Sequence, residues 1–304
     1  MKTFLRKHYR RSVKSLVRRS FPLLQRLGIH ITLNHFYYPI PDTRTLPEEL
    51  WTRRSQLPGI DLRESAQLEL LREFSNAFKA EYERLPRDRT ENVHQYFVRN
   101  KSFGSVDGEV FYCMTRHFKP RRILEIGSGH STCLAAQALL KNSSEGSAGE
   151  LIACEPYPKE FLRRGFPGLH RLIEKKVQDV PLAEFEALGP NDILFIDSSH
   201  VLKIGSDVQF EFLEILPRLK PGVLVHVHDI FLPAEYPKNW VLQKQKFWTE
   251  QYLLQAFLAF NESFEVLWAG SFMHLNHPDE LHAAFSSYDP ARVAPGSFWM
   301  RRIK

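Results

Sequence analysis

The chain has few cysteines. There are three, Cys113, Cys133 and Cys154, in 304 residues, and none forms a CxxC pair. A disulfide framework and a cysteine-based zinc site are therefore poor readings, and a reducing cytoplasm fits better. No apolar run reaches the length of a membrane span, and the N-terminus has charge without the apolar stretch of a secretory signal. Acidic residues are missing from the start of the chain. None occurs before Asp42, while nine Lys and Arg do. The rest holds 32 of the 41 basic side chains against all 35 acidic ones, a net of −3. The overall +6 thus belongs to one segment, which argues against a general nucleic-acid-binding surface. With 43% hydrophobic and 25% charged residues, the remainder has ordinary globular composition.

The basic segment has a helical period. Leu5, Tyr9, Val13, Leu16 and Val17 recur at three-to-four spacing among Arg and Lys over residues 3–20, with Pro22 as the expected stop and Gly28 as a cap. Such a helix suits an anionic membrane surface, here residues 1–27 against the inner membrane, or equally a helix docked on a body. The aromatic, proline-rich stretch 34–47 reads as extended. A second helix is expected from Asp61, with Asp61 and Glu64 as a capping box, and Pro86 beyond its end. Three regions follow: a basic helix at 1–30, a helical and extended region at 31–100 that could cap an acceptor site, and a domain at 101–304.

From residue 120 short apolar runs alternate with helical stretches. Strands are expected at 121–126, 151–154, 172–177, 192–197 and 223–228, and two more at 264–269 and 297–302. Helices are expected at 131–140, 159–165, 181–188, 205–216 and 249–260, with 142–149 a loop. This is the pattern of a mostly parallel α/β sheet covered on both faces.

The first strand–turn–helix carries Glu125, Gly127, Ser128, Gly129 and Ser131. Glycines at a strand's end let the chain turn sharply and a ligand approach closely. Glu155 ends the next strand, where an acid accepts hydrogen bonds from ribose hydroxyls. A dinucleotide fingerprint wants a small residue at position 132, and Thr132 stands there. Two further strand ends are rich in chemistry. IDSSH offers Asp197 and His200, and HVHD offers His226, His228 and Asp229. His226 lies within its strand and reads as a core histidine. Lys203 is assigned no role. Phe231, Tyr236, Trp240 and Trp248 on a proline-containing loop suit a lid, and Ser105 and Asp107 could reach a cofactor.

EIGSGHS resembles motif I of class I S-adenosylmethionine-dependent methyltransferases, with Ser131 replacing the third glycine. Glu155 matches that family's ribose-binding acid, Asp179 in VQDV the residue facing the adenine, and LKPG the turn before the fifth strand. The resemblance covers residues 100–304 and is nearest to the bacterial methyltransferase-24 domain type. It implies a Rossmann-like methyltransferase fold with a seven-stranded sheet ending in an antiparallel hairpin. It implies S-adenosylmethionine as cofactor, bound by Glu125, Gly127, Ser128, Gly129, Ser131, Glu155, Asp179 and Asp197. Metal-dependent O-methyltransferases are also similar. On that likeness Asp197, His228 and Asp229 would hold Mg or Mn, and His200, three residues after Asp197, would be the general base, with His228 and Asp197 as further catalytic groups. The implied reaction is O-methylation of a small-molecule or glycan hydroxyl. The alternatives are an RNA methyltransferase anchored by the basic helix, or a non-catalytic module at a membrane. IDSSH lacks the proline-containing tetrapeptide of amino-group methyltransferases.

Overall fold

The structure is a computed structural model that describes residues 2–304, with side chains described from Val13 onward. It divides into two units. Met1–Thr52 and Pro237–Phe247 form one, and Arg53–Tyr236 with Trp248–Lys304 form the other.

In the first unit helix α1 spans Lys2–Arg26 and runs through Pro22 rather than stopping there. Its end lies at Gly28, as expected. Gly28 takes a left-handed φ of +73°, the Ile29 N–H donates to Leu24 O, and the Gly28 N–H donates to Gln25 O. That pair of bonds is a Schellman closure, which glycine permits without a Cβ penalty. The side chains of Leu5 and Tyr9 lie outside the described residues. Leu16, Leu23 and Leu27 are exposed.

The second unit is built on one seven-stranded sheet in the order β3-β2-β1-β4-β5-β7-β6. The strands are β1 (Arg122–Ile126), β2 (Glu150–Cys154), β3 (Arg171–Ile173), β4 (Ile193–Ile196), β5 (Leu224–Val227), β6 (Phe264–Ala269) and β7 (Phe298–Arg302). β1 to β5 pair in parallel, and β7 runs antiparallel to both β5 and β6. This is the Rossmann-like methyltransferase fold with its terminal hairpin. β3 is shorter than expected, because residues 174–176 are exposed and the chain leaves the sheet there.

Alternation along the strands creates two cores. Ile123, Leu151, Ile193, Phe195 and Leu224 face one side, where they meet α2 (Glu64–Tyr82), α3 (Asp107–Phe118) and α4 (His130–Ser144). Leu124, Ile126, Leu194, Ile196 and Val225 face the other, packed by Val208, Phe212, Ile215, Leu254 and Leu258. Both faces are dry, which is why these strands read as continuous apolar runs.

Several expected boundaries change. α2 starts at Glu64 after Arg63 in a left-handed conformation. Asp61 Oδ1 accepts from the Arg63 N–H, so it stabilises the turn before the helix and not its first turn. Leu71, Phe74 and Tyr82 bury α2 in the first core, so residues 53–100 belong with the sheet. α3 occupies a stretch for which no element was expected. Val106 enters it at φ +69°, and its N–H donates to Glu109 Oε2 at 2.7 Å, one arm of a capping box. α4 continues to Ser144, which shortens the expected loop. The helix expected over 205–216 is instead Asp207–Phe210 followed by a wider π turn, Glu211–Ile215. Helices Gly270–Asn276 and Pro278–Ala284 fill a stretch left unassigned.

Candidate active site

Backbone bonds at the sheet's C-terminal edge line up the residues that matter. The Gly127 N–H donates to Cys154 O, Asp197 N–H to Ile126 O, and His228 N–H to Ile196 O, each at 2.9 Å. Each strand is buried up to this row, and partial exposure begins at Gly127, Glu155, Asp197 and Asp229. Ligands of open α/β sheets bind at such an edge.

The turn after β1 needs its glycine. Gly127 has φ +84°, and a Cβ there would sit 2.0 Å from Asp197 O. A Cβ on Gly129 would meet nothing within 4 Å, so that side of the turn is open. Thr132 supplies what the missing small residue does not. Its hydroxyl accepts from the Gly129 N–H at 2.9 Å and pins the turn to α4. Ser128 Oγ is buried with no hydrogen-bond partner among the described residues. Glu155 stands half-exposed beside the turn, and its Oε1 accepts from the Tyr157 N–H at 2.9 Å. No hydrogen bond to its Oε2 is found among the described residues. The open glycine, the unsatisfied hydroxyl and the free carboxylate oxygen fit a ribose-bearing cofactor. Asp179 lies exposed in the turn Val177–Asp179 after β3.

Two residues expected to touch a cofactor are buried under the turn instead. Glu125 is fully buried, and the Ser131 hydroxyl donates to its Oε1 at 2.5 Å. Burial pushes the Glu125 carboxyl up to about 8, against the opposing bonds from Ser131 and Thr132. Both residues brace the turn from inside.

His200 is the hub of the second strand end. Its Nδ1 lies 2.8 Å from Glu250 Oε2, and its Nε2 lies 3.3 Å from Asp197 Oδ1 and 3.7 Å from Asp229 Oδ2. Trp248 packs on the ring with centroids 4.3 Å apart. Burial opposes a charge on the ring, but the bonds to Asp197 and Glu250 outweigh it and hold its pKa well above the ordinary histidine value. Each ring nitrogen of His200 thus faces a carboxylate, a setting that favours the protonated ring. Its backbone is left-handed at φ +61°, anchored by Thr249 and Glu250 N–H groups donating to its carbonyl. Asp229 is left-handed too, at φ +55°, and the Ile230 N–H donates to Gly296 O beside it. Two such residues in contact are a backbone cost of the kind that gathers at functional sites.

Glu250 had no signal in the sequence, since it opens a helix (Glu250–Leu258) that reads as ordinary amphipathic surface. It is almost wholly buried, and burial raises its pKa. Glu211 lies nearby, fully buried in the π turn. Burial first, then the charge of Glu250, push it well above the carboxylate range, while the Ser198 hydroxyl donates to its Oε2.

The metal expectation does not fit this geometry. Among the described residues no three His, Cys, Asp or Glu side chains converge to hold an ion. His228 turns its Nε2 to Ser102 O at 3.2 Å, and Nε2 of His200 already faces both Asp197 and Asp229. His226 is the core histidine expected, stacked on Phe195 at 3.9 Å with Nε2 2.9 Å from Ser297 Oγ, and burial holds it neutral. Asp107 accepts the Gly296 and Ser297 N–H groups, and Ser105 Oγ contacts Ser287 Oγ, so both serve the scaffold. Phe231 and Tyr236 are buried in the second unit rather than free to close.

The model of a methyltransferase-domain family matches residues 124–230, which span β1 to the end of β5 and hold every residue of this edge except Glu250. An uncharacterized protein of Archaeoglobus fulgidus is 34% identical over 169 residues, covering 52% of this chain and 74% of its own length. The chain belongs to this methyltransferase family. Among solved structures it resembles an apo-structure of CmcI, with 16% identity, 74% of this chain and 84% of that chain covered, and a TM-score of 0.39. The MycE methyltransferase of the mycinamycin pathway, solved with Mg and S-adenosylhomocysteine, is 14% identical over 67% of this chain and 52% of that one, at a TM-score of 0.37. Among the described residues of this methyltransferase no helix is long and apolar enough to cross a membrane.

Proposed function

We propose that this chain transfers a methyl group from S-adenosylmethionine to a hydroxyl oxygen of a small molecule or glycan. The observation that carries the reading is the free oxygen of Glu155 beside the open Gly127–Gly129 turn at the sheet edge. When bound, the cofactor supplies an electrophilic methyl on a sulfonium. Glu155 would accept the ribose hydroxyls, the Ser128–Gly129 backbone would lie along the cofactor, and Asp179 would face the adenine.

Asp229 is the group we assign to receive the hydroxyl proton. It is partly exposed, and its carboxylate lies 3.7 Å from Nε2 of both His200 and His228. Both ring nitrogens of His200 already face carboxylates, Glu250 on one side and Asp197 on the other. We therefore assign it to position Asp197 and Asp229 and to balance their charge, with Glu250 setting its ring orientation from below. No step needs a metal.

Labelled cofactor incubated with fractionated cell extract tests the reading. Transfer of label to the oxygen of a hydroxylated metabolite is the expected result. Label found only on nitrogen, or on RNA, would overturn it.

A second proposal concerns α1. Leu16, Leu23 and Leu27 are exposed beside Lys14, Arg18, Arg19 and Arg26, the composition of a helix lying on an anionic membrane.

A further inference from the structure

A cavity of about 490 Å³ opens next to the cofactor turn, and its lining is strongly basic. Arg89, His94, His130, Lys159 and Arg164 surround it, with Glu160 as the one acid. Glu160 is already engaged by Arg164 at 3.3 Å. Neither Arg89 nor Lys159 has an ion pair among the described residues. His94 Nδ1 is buried with no hydrogen-bond partner there.

These groups come from separate parts of the chain. Arg89 and His94 precede α3, His130 opens α4 directly after Gly129, and Lys159 and Arg164 follow Glu155 beyond β2. Their fields overlap. Burial first, then the charges of Lys159 and Arg89, lower the pKa of His130. Two cations without an ion pair among the described residues line one hollow, and their summed field favours an anion there. The remaining wall is aromatic. Phe97 packs edge-on against His130 at 5.0 Å, and His94 lies between Phe161 and Phe166.

We propose that this cavity binds the phosphate monoester of an organic molecule, the phosphate held by Arg89 and Lys159 with His94, and the organic part against Phe97 and Phe161. The site is separate from the carboxylate cluster at Asp197 and Asp229, and its binding does not depend on methyl transfer. The cavity begins one residue beyond the Gly127–Gly129 turn, at His130.

Calorimetry at low ionic strength with inorganic phosphate and with phenyl phosphate tests this. Both should bind, with phenyl phosphate tighter by about ten-fold through burial of its ring. Arg89→Gln and Lys159→Gln should each weaken phenyl phosphate by about ten-fold, the worth of a charge-assisted bond, and both residues are exposed enough for the fold to survive. Affinity for S-adenosylhomocysteine should stay unchanged in these variants, and Glu155→Ala should leave phosphate binding unchanged. No heat with either probe, or heat indifferent to both substitutions, overturns the site while leaving the cofactor reading intact. Equal affinity for the two probes overturns the organic half of the proposal, leaving a bare-anion site. Loss of S-adenosylhomocysteine binding together with phosphate binding in Arg89→Gln would show one shared site and overturn it as well.

Discussion

Glu125 offers a sharp quantitative test of how the cofactor turn is held. Its carboxyl is fully buried and has a pKa of about 8, against 4.5 for the free side chain. At pH 7 the neutral acid then outnumbers the carboxylate by about ten to one. The unfolded chain ionises above 4.5, so between that value and 8 the native state holds the extra proton. A folded pKa above the unfolded one gives stability that is complete below the unfolded pKa and drains away as pH rises through the folded pKa. The rise from 4.5 to about 8 is worth roughly 5 kcal/mol over the whole window, and about 2 kcal/mol of it falls between pH 6 and 8. Glu125→Gln keeps the shape and removes the titration. The variant should therefore gain on the wild type by about 2 kcal/mol from pH 6 to pH 8 in urea unfolding followed by tryptophan fluorescence. Other buried acids titrate equally in both proteins and cancel in the comparison. A stability difference that stays flat with pH would refute a neutral Glu125 and with it the account of the turn.

Other consequences are simpler to state. Asp229→Asn should lower turnover by about 10²-fold or more with cofactor affinity retained, as measured by steady-state kinetics beside calorimetry, if it receives the proton. Unchanged turnover would move that role elsewhere. His200→Asn should destabilise the fold by about 3–5 kcal/mol in urea unfolding, because it leaves Glu250 buried without its cation. A loss under 1 kcal/mol would mean that Glu250 is neutral and the ring uncharged. The full chain should sediment with vesicles rich in anionic lipid and release with salt, and a Leu16→Glu, Leu23→Glu variant should stay in solution. Equal sedimentation of the two would remove α1 as the membrane contact.

The parts of the site legible in the sequence are those fixed by local chemistry. Gly127 and Gly129 mark a turn because a side chain at the first would strike Asp197 O. Glu155, Asp197 and Asp229 each follow an apolar run, and parallel pairing carries such residues to one edge. The adjacency of β4 and β5 was readable for the same reason. What stayed hidden depended on distance or depth. Glu250 reaches His200 from fifty residues away, on a helix whose period says nothing of a buried carboxylate. Glu125 and Ser131 sit in the same short motif as the partly exposed Gly127 and Ser128, and only packing shows that these two point inward. Asp197, His228 and Asp229 read as a metal set because their types suit one, whereas Nε2 of His228 is taken by Ser102 and the His200 ring faces both carboxylates. α3 was obscured by Val106, whose left-handed backbone is rare for a β-branched residue.

Titration of the purified chain with S-adenosylhomocysteine in a calorimeter, beside its Glu155→Ala variant, goes to the centre of the account. One site per chain in the wild type, weakened by about ten-fold or more when the carboxylate is removed, is the predicted outcome. An absence of heat in the wild type, or the same affinity in both proteins, would contradict it.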